Sequence, residues 1–151
     1  MERTSTWANL GTEYKGQSLI SGIPEEMCFK VEKRPMGYID NNGSFKVVKG
    51  TSTVVNEHGR AYGPVSDNYG IVDNPTALGS LQYIDGFDIK RYGELKNGMP
   101  FIIGSLPEVN ILGDAFTPYL IFRNSFNGQI PRTGLHLPVE NCLSKSDEHC
   151  F

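Results

Sequence analysis

The sequence predicts an α+β domain in which an antiparallel or mixed sheet is built from hairpins and covered by a short helical segment. Three observations carry this. Gly 17 and Pro 9 among 151 residues demand many turns and few long helices. Apolar and β-branched runs are short and bounded by Gly, Asn, Asp and Pro. The stretch 53–74, TVVNEHGRAYGPVSDNYGIVDN, writes two strands around a Gly turn and stops at a polar step where a helix begins. A chain of this size fits one domain and buries roughly 70% of its unfolded surface.

Residues 1–22 follow no steady period and read as an irregular arm with Trp7, Leu10, Leu19 and Ile20 as docking anchors. The single domain is expected over 23–143, and the polar tail 144–151 is expected to fray. Met27, Phe29 and Val31 alternate against Cys28, Lys30 and Glu32, the period of a half-buried strand, which Pro35 is expected to end. Tyr38 and Ile39 precede Asp40-Asn41-Asn42-Gly43, and Phe45-Lys46-Val47-Val48 resumes extended structure, a hairpin. A second hairpin joins Thr51 to Val65 around Asn56-Glu57-His58-Gly59, with Pro64 placing its strand at an edge or a bulge.

Asp73-Asn74-Pro75-Thr76 supplies a side-chain acceptor and a proline where the missing donor costs nothing, so a helix of about two turns starts there, weakened at Gly79. A further hairpin turns at Lys96-Asn97-Gly98, with Pro100 at the entrance of its second strand. Gly104-Ser105-Leu106-Pro107-Glu108 interrupts the apolar run, and Pro118-Tyr119-Leu120-Ile121-Phe122 is the clearest central strand, filled by aromatic and β-branched residues after Pro118. Residues 129–133 are expected to return beside it.

A net charge of -3 gives no broad attraction to nucleic acid or anionic membrane, so a polyanion would need a local patch. Three cysteines, Cys28, Cys142 and Cys150, form neither a metal spacing nor a complete disulfide framework, which fits a reducing compartment. The charged amino terminus and the absence of a run of ~20 apolar residues lead to the expectation of a cytoplasmic protein that does not enter membranes.

The segments VEKRPMGY (31–38), AYGPVSDNYGIVDN (61–74) and NGMPFIIGSLPEVNILGDAFTPYLIFRNSFNG (97–128) resemble an uncharacterised phage/plasmid-like protein family of mobile elements, over roughly residues 28–143. Its run of Gly, Val, Ser/Asp and Tyr ending in an Asn that opens a helix is similar to Gly63, Val65, Ser66, Asp67, Tyr69 and Asn74. Its later signature is similar to Leu106, Pro107, Tyr119, Leu120, Asn124, Ser125 and Gly128. The resemblance implies a phage or plasmid accessory protein in a host cytoplasm, and a shortened member. Where relatives carry an arginine and a Cys-Asn segment, this chain reads Pro138-Val139-Glu140-Asn141-Cys142, which implies the loss of a basic contact.

Lys90, Arg91, Lys96, Arg123 and Arg132, interleaved with Tyr92, Phe101, Phe122 and Phe126, are the candidate nucleic-acid residues. The cations would contact phosphates of a single strand, and Tyr92 and Phe126 would stack on bases. The alternative for the same cations is an ordinary solvated sheet face, as it is for Lys30, Lys33 and Arg34. His58, His136 and His149 have no ligand spacing, and Asp67, Asp73, Asp85, Asp88 and Asp114 sit at turns and caps, so no metal or cofactor is expected. No Gly-x-Ser-x-Gly elbow and no phosphate loop occur, so a non-enzymatic role is expected. The two functional classes open at this point are binding of single-stranded nucleic acid and interaction with a host protein, such as a defence complex. Hairpin edges allow a homo-oligomer.

Overall fold

The computed structural model describes residues 9–128 and a strand at 139–143. Strand β1 is Thr12–Glu13, β2 Leu19–Ile20, β3 Ile23–Pro24, β4 Val31–Ile39, β5 Phe45–Asn56 and β6 Ala61–Ser66. Helix α1 is Asn74–Leu78, continued by a 3-10 turn at Gly79–Tyr83. Then follow β7 Asp88–Glu94, β8 Pro100–Ser105, β9 Val109–Ile111, β10 Asp114–Arg123 and β11 Val139–Leu143. Every pairing among the described residues is antiparallel. The large sheet runs β1-β7-β8-β10-β11 with β9 also on β10, and β4-β5-β6 form a separate three-stranded sheet. The result is a sheet-rich fold with one short α-helix, as the turn-rich composition requires.

The helix forms where expected. Asp73 accepts a hydrogen bond from the Thr76 amide at 2.9 Å, Pro75 occupies the first turn, and regular α-helix gives way at Gly79. Leu78 and Leu81 then pack with Ile23, Met27, Ile89, Tyr92, Ile102, Leu120 and Phe122 on one face of the large sheet. Inside this core, Asn74 donates to the Met27 carbonyl at 3.0 Å and accepts from Asn124, which also donates to the Val72 carbonyl at 2.9 Å. These hydrogen bonds between buried amides and backbone carbonyls fix the segment after β10 against the helix start.

Four expectations change. The alternation at Met27 and Phe29 does not make a strand: Glu25–Met27 is a 3-10 turn that sends Met27 into the helix-covered core. Pro35 does not end β4, because β4 is an edge of its sheet and can carry a residue without an amide hydrogen. The third change is at the central strand, which begins at Asp114 rather than at Pro118. The Pro118 carbonyl accepts the Leu106 amide, on the side where β8 breaks before β9, so its missing donor falls at an interruption already present. Finally, residues 9–22 are tied down: β1 pairs with β7, and Tyr14 donates its amide to the Lys90 carbonyl at 2.9 Å. Strands of two residues are too short for periodicity to disclose. Residues 129–133, Trp7 and the tail 144–151 lie outside the described residues.

Pro64 behaves as expected, on edge strand β6 beside a register shift. Phe126, from the segment after β10, fills the inner face of the three-stranded sheet together with Val54, Tyr62 and Val65. Its ring lies 4.7 Å from Tyr62 and 5.9 Å from Phe29. Asn127 locks it by donating to the Tyr62 carbonyl at 2.8 Å.

Candidate functional site

Strands β4 and β5 outrun the sheet that contains them. Their proximal parts pair from Val31 opposite Asn56 to Pro35 opposite Ser52, and their distal parts from Gly37 opposite Val47 to Ile39 opposite Phe45. Between the two, β4 supplies Met36 alone while β5 supplies residues 48–51, a large bulge in which Gly50 takes φ +84°. Asp67 holds the bulge: its carboxylate accepts the Gly50 amide at 3.1 Å and the Ser52 hydroxyl, and its own amide donates to the Gly50 carbonyl. Beyond that point the chain is a two-stranded ribbon closed by a turn in which Asp40 accepts the amides of Asn42 and Ser44, each at 2.9 Å.

Residues opposed across an antiparallel pair share a face. Alternation along β4 therefore puts Val31, Lys33, Pro35, Gly37 and Ile39 on one face, joined by Val54 proximally and by Phe45 and Val47 distally. The other face carries Glu32, Arg34, Met36, Tyr38 and Lys46, with an Arg34–Glu32 ion pair. Proximally the first face is the core, with Val54 at 0% exposure. Distally the same face holds Ile39 at 65%, Phe45 at 54% and Val47 at 57%. The Phe45 ring lies across Gly37, where an added Cβ would fall 2.7 Å from it, so Gly37 serves the packing of the ribbon itself. Covering these three side chains would release roughly 2 to 5 kcal/mol.

The sequence-predicted cations are not gathered into one patch. Lys90 pairs with Asp88 at 2.7 Å, and Arg91 donates to the Leu10 and Gly11 carbonyls, anchoring β1. Lys96 is exposed at the β7–β8 turn. Arg123 is exposed at the end of β10, at the rim of a cavity of about 260 Å³ lined by Leu10, Phe101, Ile103 and Ile121. The register places Arg91 and Arg123 on the same face as Phe101 and Ile103. Arg132 lies outside the described residues. Both rings assigned to stacking are core: Tyr92 and Phe126 are buried, as are Phe101 and Phe122. That assignment is corrected, because a base needs an open ring face and the alternation of β7 turns Tyr92 inward.

A second cavity, of about 240 Å³, lies between the two sheets and is lined by Glu26, Phe29, Asn56, His58, Tyr92 and Glu94. Its carboxylates are engaged. Tyr92 donates to Glu26 at 3.0 Å, Tyr62 donates to Glu94 at 2.6 Å, and Arg60 pairs with Glu94 at 3.3 Å. Burial first, and then the hydrogen bond to its carboxylate, pushes each phenol above its ordinary range. Burial, followed by the charges of Glu25 and Asp73, raises the Cys28 thiol, the opposite of what a nucleophile needs. Asp73 and Asp67 serve the backbone, and among the described residues no three His, Cys, Asp or Glu converge on a metal position. Nor is any helix among them long and apolar enough to cross a membrane.

Comparison with family models, curated proteins and solved structures finds no match to the chain. The site therefore rests on its own geometry. Residues 38–48 form the hairpin that their sequence predicts; the sequence does not disclose that its apolar face is left uncovered by the described residues, which depends on where distant segments go.

Proposed function

We propose that the protein is a non-enzymatic interaction module that docks a protein partner on the apolar face of the distal β4–β5 ribbon. The observation that carries this reading is one sheet face whose apolar pattern continues past its cover, leaving Ile39, Phe45 and Val47 in water. Exposed apolar groups on a rigid, bulge-anchored ribbon favour a protein surface over a phosphate backbone. The resemblance to a phage/plasmid-like family supports an accessory protein acting on a host complex, among them one of defence.

A photo-crosslinking residue at Phe45, with a second at exposed Tyr83 as control, tests this in the native cell. A partner captured from Phe45 alone, whose purified form binds the wild type and not Phe45→Ser, is the expected result. Equal capture from Tyr83, or undiminished binding by Phe45→Ser, overturns it.

A second reading, binding of single-stranded nucleic acid, is favoured by Arg91 and Arg123 sharing one sheet face. Fluorescence anisotropy of labelled single strands across a salt series tests it. Salt-sensitive binding lost in Lys96→Ala/Arg123→Ala supports it, and no binding at low salt removes it.

A further inference from the structure

We infer that the cavity on the large sheet, on the face opposite the helix, binds a small apolar carboxylate, its chain among Leu10, Leu95, Phe101, Ile103 and Ile121 and its anion on the Arg123 guanidinium. The inference is independent of the ribbon. Strand alternation builds the site. Ile102, Leu120 and Phe122 turn to the helix-covered core, so Phe101 and Ile103 of β8 and Ile121 and Arg123 of β10 turn the other way. Arg123 pairs with Phe101 and Ile121 with Ile103, which sets the cation beside an apolar floor. Phe101 and Ile103, each 1% exposed, are that floor. Leu10 makes the wall on the β1 side and is held there. Arg91 donates to the Leu10 and Gly11 carbonyls, and Gly11, at φ +60°, comes so close that an added Cβ would fall 2.7 Å from the Phe101 ring. Leu10 itself stays 38% exposed, so an apolar chain laid in the cavity would still remove surface from water.

The charge of the lining sets the class of ligand. Arg123 is the one charged group among the described residues that line the cavity. Every other described arginine is engaged: Arg34 with Glu32, Arg60 with Glu94, and Arg91 with the two carbonyls. Arg123 has neither an anion nor a carbonyl on its side chain. A guanidinium is always charged and offers a fork of N–H donors that a carboxylate matches with two parallel hydrogen bonds. An apolar hollow with one unmatched fork at its rim is therefore complementary to an apolar chain ending in one carboxylate. A single guanidinium balances a single negative charge, which favours a carboxylate over a phosphate dianion. A nucleic-acid phosphate would reach the same arginine and leave the apolar walls uncovered. At about 260 Å³ the cavity falls below the roughly 300–1,000 Å³ of drug-sized sites, so it suits a medium-chain fatty acid and not a long one.

Titration of the isotope-labelled full chain with sodium octanoate below its micellar concentration, followed by amide chemical shifts, tests this. Octanol is the uncharged probe, and Arg123→Gln and Leu10→Ser are the variants. The wild type is expected to show one saturable site, with shifts at Leu10, Leu95, Phe101, Ile103, Ile121 and Arg123, and to bind octanoate about tenfold more tightly than octanol. Arg123→Gln should erase that preference while octanol still binds, which shows that the cavity is formed. Leu10→Ser should weaken both probes and keep the preference. No saturable shift, equal affinity of the wild type for the two probes, a preference that survives Arg123→Gln, or shifts centred on Phe45 and Val47 overturns the inference. The cross-link from Phe45 reads a different face, so failure here leaves the ribbon reading untouched.

Discussion

The proximal and distal parts of β4 and β5 are one sheet face in two situations. Proximally, Val54 lies wholly buried under Phe126 and Tyr62; distally, Phe45 and Val47 occupy the same face with more than half of each side chain in water. The strands do not cause the difference. Both hairpin turns of this sheet are even built alike. Asp40 accepts the amides of Asn42 and Ser44 in the first, and Asn56 those of His58 and Arg60 in the second. What differs is cover, which Phe126 supplies together with Phe29, Tyr69 and Ile71. A strand's pattern says which face seeks burial, and the rest of the chain or another molecule decides whether it is buried.

The largest test of that comparison removes one aromatic ring from each part. Phe126→Ala should cost about 3 to 5 kcal/mol, a large cavity in a tight core, while Phe45→Ala should stay within about 0.5 kcal/mol. Urea denaturation of the isolated chain reads both. A comparable loss at Phe45 would mean that the ribbon is packed within the monomer, and the contrast would fail. Next in size is the anchor of the cover. Asn124→Ala strands the Asn74 side-chain oxygen and the Val72 carbonyl inside the core, and should cost about 2 to 3 kcal/mol in the same measurement. A loss well below 1 kcal/mol would show that Phe126 is held by its ring contacts and by Asn127 without help from Asn124.

These expectations also mark how far the sequence could be read. Turn chemistry was legible because it is local: Asp40-Asn41-Asn42-Gly43, Asp73-Asn74-Pro75-Thr76 and Lys96-Asn97-Gly98 all do what their side chains dictate. Proline was half legible. Pro64 lies on an edge strand as its sequence predicts, but Pro35 and Pro118 do not bound their strands, because the edge position of β4 and the break between β8 and β9 that accommodate them depend on neighbours distant in sequence. The site was less legible still. Tyr92 and Phe126 look like exposed rings beside cations, and only the large-sheet register and the fold-back after β10 reveal them as core. Leu112 did carry a signal, since a two-residue loop with Gly second expects Asn first, but it was hidden inside an apolar run.

The cover of the proximal part should also respond to alkali. The Tyr62 phenol is held protonated by burial and by its hydrogen bond to Glu94, so its folded pKa lies above the ordinary phenol value of 10.0. A group whose pKa is raised on folding contributes stability that is complete below the unfolded pKa and is lost as pH rises through the folded one. The wild type should therefore lose stability above about pH 10, as the unfolded chain releases this proton first. Tyr62→Phe should show a shallower decline over the same window in thermal melts. Equal slopes would assign the alkaline loss to other groups, Tyr92 with its bond to Glu26 first among them.

The smallest expected effect has the opposite sign and tests the exposed side of the comparison. At Leu112 the backbone stands at φ +52° with the side chain wholly in water, so replacing leucine with asparagine removes strain and forfeits no packing. Leu112→Asn should stabilise the chain by about 1 kcal/mol in urea denaturation. A loss instead would mean that Leu112 is packed within its own chain. A gain would show that folding alone favours another residue at this tip, just as it does not require phenylalanine and valine to be as exposed as they are on the distal ribbon.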